Sequence, residues 1–234
     1  MKLPLLLSVP HAGLRIPPEV ESWCILAHED VVKDGDEGAA EIFALGKCVK
    51  AWITTDIARA IIDLNRAEDD RRQDGVVKTH TCWDVPVYEP FPPENVVQEL
   101  LERYHRPYHR KLTRLARTGV RLGIDCHTMA GIAPPVAPDK GQRRPAVCLS
   151  NGDGITCPDP WFRQLGECFR NVFADFPVWL NTPFKGGYLT RTHAREMPWV
   201  QLEISRAPFL SPGETRKRVL QALTDWCTWA LPGT

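Results

Sequence analysis

The chain of 234 residues carries no net formal charge, with 29 Lys and Arg against 29 Asp and Glu. No global field draws it toward nucleic acid or an anionic membrane. No stretch approaches the roughly 18 to 20 apolar residues that a membrane span needs. The opening run LPLLLSVP is too short for a signal-peptide core with its cleavage site. It flows directly into a polar motif and reads as a first strand. No CxxC and no regular spacing is found among the eight cysteines, Cys24, Cys48, Cys82, Cys126, Cys148, Cys157, Cys168 and Cys227. Most sit in apolar or amphipathic contexts, where thiols behave as small hydrophobes. Reduced thiols in a cytoplasmic protein are therefore expected, not a disulfide scaffold. Internal repeats and low-complexity segments are absent too, and the 21 prolines mark turns in the connections. A chain of this length can bury a sizeable core and is expected to form one domain, 1–234.

What is present is an alternation of short apolar runs with longer amphipathic ones. LPLLLSV (3–9), KAWITTDI (50–57), AIIDL (60–64), VRLGIDC (120–126), PAVCLSN (145–151), PVWLNTP (177–183) and WVQLEIS (199–205) read as strands. Their nearly continuous apolar character suits a sheet covered on both faces. Asp36–Val49, Pro93–Thr118, Pro160–Phe173 and Pro212–Ala230 read as helices, the last two opening with proline near the first turn. The pattern predicts a three-layer α/β sandwich around a mostly parallel or mixed sheet. In such sheets ligands gather beyond the carboxyl ends of the strands. The segments 66–93 and 130–144, rich in charge and proline, are expected to loop over that edge.

Polar residues stand where those strands end. His11 follows LPLLLSVP, and Asp63, Asn65 and Arg66 close AIIDLNR. Asp125 and His127 close VRLGIDCHT, and Glu203 lies inside WVQLEIS. A lone histidine in a turn commonly bonds to backbone, but two at the ends of separate buried strands can converge on one ion. Asp36, at a helix start, is either an N-cap or a third ligand. Asp34 and Glu37 compete for the same role. Two imidazoles, one carboxylate and a free position form a known catalytic zinc arrangement. Asp125 is expected to orient a histidine from behind. Arg59, Asn65 and Arg66 offer guanidinium forks and an amide suited to a carboxylate, although Arg66 also opens the charge run AEDDRR. Strand alternation sets Glu203 on the face of Gln201 and Ser205. There it is either a general base or half of an ion pair with Arg206 or Arg191. HARE (His193, Glu196) and HRPYH (His105, His109) imitate zinc pairs. The first lies in a polar loop, and the second lacks the glutamate of HExxH and holds a proline. Neither is taken as the metal site.

Together these motifs resemble the N-formylglutamate amidohydrolase family. The resemblance rests on SVPHAG (8–13), DEGA (36–39), ARAIIDLNR (58–66), YHRPYHRKL (104–112), IDCHTM (124–129), FKGGYLTR (184–191) and QLEISR (201–206), in family order over nearly the whole chain. The order of groups is also similar to that of zinc carboxypeptidases, which share the three-layer fold. The resemblance implies one Zn2+ per chain on His11, Asp36 and His127, with Glu203 activating water. Arg59 would stabilise the carbonyl oxygen. Asn65 and Arg66 would hold the substrate α-carboxylate, and Arg191 a second carboxylate. The implied reaction is hydrolysis of a small N-acyl amino acid, N-formylglutamate foremost, with no nucleic-acid or membrane partner. The stretches 133–157 and THAREMP depart from the family pattern, so the reaction class carries over further than the substrate. The rivals are a carboxypeptidase-like hydrolase of a peptide or cell-wall fragment, and a non-catalytic binding protein on the same scaffold.

Overall fold

A computed structural model describes residues 2–230. Six strands form one sheet: β1 Leu3–Val9, β2 Val49–Thr54, β3 Leu122–Met129, β4 Val147–Ser150, β5 Val178–Leu180 and β6 Trp199–Ser205. Their order is β2-β1-β3-β6-β4-β5. Every pairing is parallel except β4 with β6, so the sheet is mixed and mostly parallel.

Among the described residues seven α-helices accompany the sheet: α1 His28–Asp34, α2 Ala39–Ile42, α3 Glu94–Leu100, α4 Arg106–Leu115, α5 Asp159–Val172, α6 Tyr188–His193 and α7 Pro212–Ala230. One face of the sheet packs Leu5, Leu7, Ile124, Cys126, Leu202 and Ile204 into a core with residues of α2, α5 and α7. On the other face Leu6 and Trp199 meet Tyr108 and Leu112 of α4 and Leu189 of α6. The two-residue alternation of the strands therefore separates apolar Leu202 and Ile204 from polar Gln201 and Glu203. A third cluster, with Val20, Val31, Ile57, Ile61, Val76 and Val97, lies among the loops and α3.

Three sequence expectations differ from the structure. AIIDL is not a strand. Ile57 and Ala58 make only isolated bridges to Arg15 and Gly13, and the N–H groups of Ile61 and Ile62 both turn back to Ala58 O. Ile57, Ala58, Ile61 and Ile62 bury themselves by turn spacing in the loop cluster, so an apolar run that looked like a strand satisfies its backbone locally. The helix expected over Asp36–Val49 shrinks to α2: Gly38, at φ 82° in the left-handed region, separates it from α1, and past Ile42 the chain leaves the helix for turns in which Leu45 N bonds to Phe43 O and Cys48 N to Leu45 O. The missed α1 has its own signals, Glu29 and Asp30 in the first turn and Lys33 in the last.

The helix expected over Pro93–Thr118 is interrupted by a π-helical turn, Leu101–His105, in which Arg106 N bonds to Leu101 O. Pro107 explains it: proline lacks an N–H and its ring clashes with the carbonyl four residues earlier. A widened turn relieves that clash.

Candidate metal centre and active site

His11 sits in the turn directly after β1, His127 near the end of β3 and Glu203 at the matching position of β6, since His127 and Glu203 are register partners. Asp36 reaches them from the connection between α1 and α2. Its backbone N–H donates to His11 O at 3.1 Å, and its Oδ2 accepts from Thr128 N at 3.2 Å. The sheet sets the histidines and this connection sets the acid.

Three candidate ligand atoms converge. His127 Nδ1 lies 3.1 Å from His11 Nδ1 and 2.9 Å from Asp36 Oδ2, and His11 Nδ1 lies 3.5 Å from the same oxygen. A tetrahedral ion with ligands at about 2.0–2.1 Å would hold them roughly 3.3 Å apart. The far nitrogens are fixed by carboxylates: His11 Nε2 lies 2.8 Å from Asp63 Oδ1, and His127 Nε2 lies 2.9 Å from Asp125 Oδ2. An ionised carboxylate only accepts, so each Nε2 carries the proton and each Nδ1 turns a lone pair to the common point. Two lone pairs and a carboxylate oxygen facing one another call for a cation.

Electrostatics agree. Burial opposes charge on His127, but Asp125, Asp36 and Glu203 outweigh it and raise its pKa well above the ordinary imidazole value. Burial also works against the charge on Asp36, yet His11 and His127 hold its carboxyl far below the usual range. Asp63 is likewise held low against burial by His11, Arg59 and Arg66. The surroundings thus favour positive charge between the imidazoles, whether a proton or a metal ion supplies it. Among the described residues His11, Asp36 and His127 are the one group of His, Cys, Asp and Glu placed to hold an ion. Of the competing acids, Asp34 is bound to Lys78 Nζ at 2.7 Å and Glu37 is exposed.

Glu203 is 6 % exposed, and among the described residues no arginine pairs with it. Arg206, one of the partners the ion-pair alternative required, donates from Nη1 to Lys33 O and Gly35 O, beside Asp36. Burial pushes the Glu203 carboxyl up and Asp36 adds to this, while His127, Gln201 and Arg59 oppose it. Gln201 Nε2 donates to Glu203 Oε1 at 2.7 Å.

A cavity of about 410 Å³ opens over these groups, lined by His11, Asp36, His127 and Glu203 together with Arg59, Asn65 and Arg66. That is the size of a small-molecule site. Arg59 donates from Nε to Asp63 Oδ2 at 3.1 Å and from Nη1 to Asp34 O. Arg66 donates to the carbonyl of Asp74 from Nε and to its Oδ2 from Nη2. Asn65 spends its amide inside the protein: Nδ2 donates to Asp125 Oδ2 at 3.2 Å and Oδ1 accepts from Leu189 N at 2.7 Å. Gly187 permits this, because a Cβ there would lie 2.4 Å from the Asn65 amide.

Arg191 is not brought to the cavity. It is exposed on α6, and the THAREMP stretch does not line the site. Arg144 and Arg206 line it instead, with Pro134, Val136 and Ala137 of the 130–144 loop. The two decoy motifs meet each other: His109 Nδ1 lies 2.9 Å from His193 Nε2, and His193 Nδ1 lies 3.0 Å from Glu196 Oε2. His105 and His109 donate to the carbonyls of Arg66 and Leu64, supporting the segment that carries Asn65. Sequence reasoning missed the role of Asp63, although its place in AIIDLNR beside Asn65 was the available signal.

Residues 3–210 match the pattern of N-formylglutamate amidohydrolase, and the chain belongs to that family. It is 28 % identical over 258 aligned positions to the N-formylglutamate deformylase of Pseudomonas putida, covering 96 % of this chain and 94 % of that one. It is 26 % identical over 225 positions to the N-formylglutamate deformylase of Pseudomonas aeruginosa, covering 89 % and 83 %. The crystal structure of N-formylglutamate amidohydrolase from Ralstonia eutropha superposes with a TM-score of 0.80 at 21 % identity, covering 100 % of this chain and 96 % of that one, which establishes the common fold.

Proposed function

We propose that the chain is a metal-dependent amidohydrolase, one catalytic domain that releases formate from N-formylglutamate. The observation that carries this reading is the convergence of His11 Nδ1, His127 Nδ1 and Asp36 Oδ2, with both outer nitrogens tied to carboxylates and Glu203 alongside without an ion-pair partner among the described residues. The two deformylase relatives support the substrate. The eight free thiols suit a cytoplasmic setting.

His11, Asp36 and His127 would hold one Zn2+, which two nitrogens and one oxygen suit. Such an ion supplies Lewis acidity, making water a nucleophile near neutral pH and polarising the acyl carbonyl. Glu203 takes the proton of the attacking water and returns it to the leaving nitrogen. Arg59, held on Asp63 and Asp34 O, stabilises the charge that develops on the carbonyl oxygen. Arg66, whose Nε and Nη2 now meet the carbonyl and the Oδ2 of Asp74, exchanges them for the two oxygens of the substrate α-carboxylate. Asn65 contributes by fixing Asp125 behind His127. Arg144 and Arg206, which line the cavity, take the second-carboxylate role that the family resemblance assigned to Arg191.

The test is formate release from N-formyl-L-glutamate by purified protein, before and after chelation and after adding Zn2+ back. Activity that disappears with the metal and returns with it is expected. Metal-loaded protein that releases no formate would overturn the reading.

A further inference from the structure

Water activation, carbonyl stabilisation and carboxylate binding leave Gln201 unused. It occupies the centre of a polar row across the sheet, in register with Asp125 of β3 and Ser150 of β4. It lies two residues before Glu203 on the same strand, hence on the same face. The side chain is 5 % exposed and lines the cavity. Its two ends are unequal: Nε2 donates to Glu203 Oε1 at 2.7 Å, whereas the buried Oε1 has no hydrogen-bond partner among the described residues. A carboxylate can only accept, so the amide nitrogen belongs on the Glu203 side and the orphaned atom is an acceptor. Leaving such an acceptor unpaired is costly, so a buried one on a residue that lines the cavity points to a donor that arrives with the ligand.

The chemistry of the substrate names that donor. At neutral pH an N-acyl dicarboxylic amino acid presents two carboxylates and an acyl oxygen, all acceptors. Its one hydrogen-bond donor is the N–H of the amide to be cleaved. We propose that Gln201 Oε1 accepts this N–H, so that Gln201 recognises the scissile amide and ties it to the general base through the other end of the same side chain.

Gln201 gains and loses no proton. Water oxygen bonds to the acyl carbon and the C–N bond breaks with its electron pair staying on nitrogen. That nitrogen receives the proton Glu203 took from water. Because Oε1 already holds the N–H, the nitrogen lone pair that develops as the amide loses its planarity is free to face Glu203. The holding of Glu203 Oε1 leaves Oε2 as the oxygen that handles the proton.

This inference rests on the amidohydrolase reading, and the experiment separates the two. N-formyl-L-glutamate is compared with the formate ester of 2-hydroxyglutarate, which replaces N–H by O and offers no donor. Both are assayed with the metal-loaded wild type, Gln201→Met and Gln201→Glu, with melting temperatures recorded. Gln201→Met removes donor and acceptor at nearly constant volume and slows both substrates. It should lower kcat/KM for the formamide by a further ~10–100-fold relative to the ester, the discrimination expected when a polar partner is deleted. Gln201→Glu keeps an acceptor oxygen and should keep the amide-to-ester ratio within about threefold of wild type while slowing both. Equal losses on the two substrates in Gln201→Met would overturn the role of Oε1 while leaving the amidohydrolase reading intact. A wild type inactive on both would overturn that reading and this inference with it.

Discussion

Glu203 and Asp36 carry the sharpest expectations at the scale of single residues. Glu203→Gln keeps the shape and the neighbouring Gln201 but cannot take a proton. Its kcat should fall roughly 10²–10⁴-fold with metal content and melting temperature retained. Full activity would remove Glu203 from the mechanism. Around the ion the losses should be graded. Asp63→Ala frees His11 Nε2 and should weaken metal binding about 10–100-fold, the usual cost of an outer partner. Asp36→Ala removes one of the three proposed ligands and should cost more still. Glu196→Ala should leave affinity unchanged, since Glu196 is bound to His193 and to Thr113 Oγ1 at 2.6 Å, outside the triad. Metal titration of the three variants checks the order, and a loss confined to Glu196→Ala would move the site.

At the scale of elements, the site depends on the fit between the Leu64–Arg66 turn and the start of α6. Asn65 bridges the two by accepting from Leu189 N and donating to Asp125, whose other task is to hold His127. Gly187 is what lets them approach. Gly187→Ala brings a Cβ within 2.4 Å of the Asn65 amide. Its backbone conformation, φ −87°, is open to alanine, so any cost is steric. Displacement of about 1–3 kcal/mol in stability is expected, with a matching fall in kcat/KM as Asp125 loses its brace. An unchanged melting temperature would show that the turn yields freely.

For the molecule as a whole, the loop that covers the sheet edge is pinned by a buried pair. Lys78 is 0 % exposed and its Nζ lies 2.7 Å from Asp34 Oδ2, while Cys82 N donates to Asp34 Oδ1. Burial opposes the Asp34 charge, but Lys78 and Arg59 outweigh it and hold the carboxyl at about 2. Because the folded value lies below the unfolded one, the pair stabilises fully above pH ~4 and this stability is lost as pH falls toward 2. The contribution is about 2 kcal/mol. Denaturant melts from pH 6 to 2 on wild type and Asp34→Asn check this, the variant showing the flatter acid limb. Lys78→Met strands the carboxylate and should cost about 3–5 kcal/mol, much of it recovered in the double variant with Asp34→Asn.

The sequence by itself determined the architecture and the places of most of the candidate site residues. Apolar runs ending in polar residues marked β1, β3 and β6, and a parallel arrangement delivers such ends to one edge whatever the loops do. That is why the positions of His11, His127 and Glu203 at one edge are legible in the sequence, and why alternation assigns Glu203 its face. Periodicity describes a residue only relative to its own element. Which of Asp34, Asp36 and Glu37 reaches a histidine 91 residues away depends on how α1 and α2 pack, and Gly38 decides that by its conformation. Only the tertiary structure could seat Asp63 behind His11, turn His109 toward His193 and leave Arg191 outside the cavity. The same packing leaves one end of Gln201 without a partner among the described residues, because hydrogen-bond satisfaction is a property of the neighbours and not of the residue.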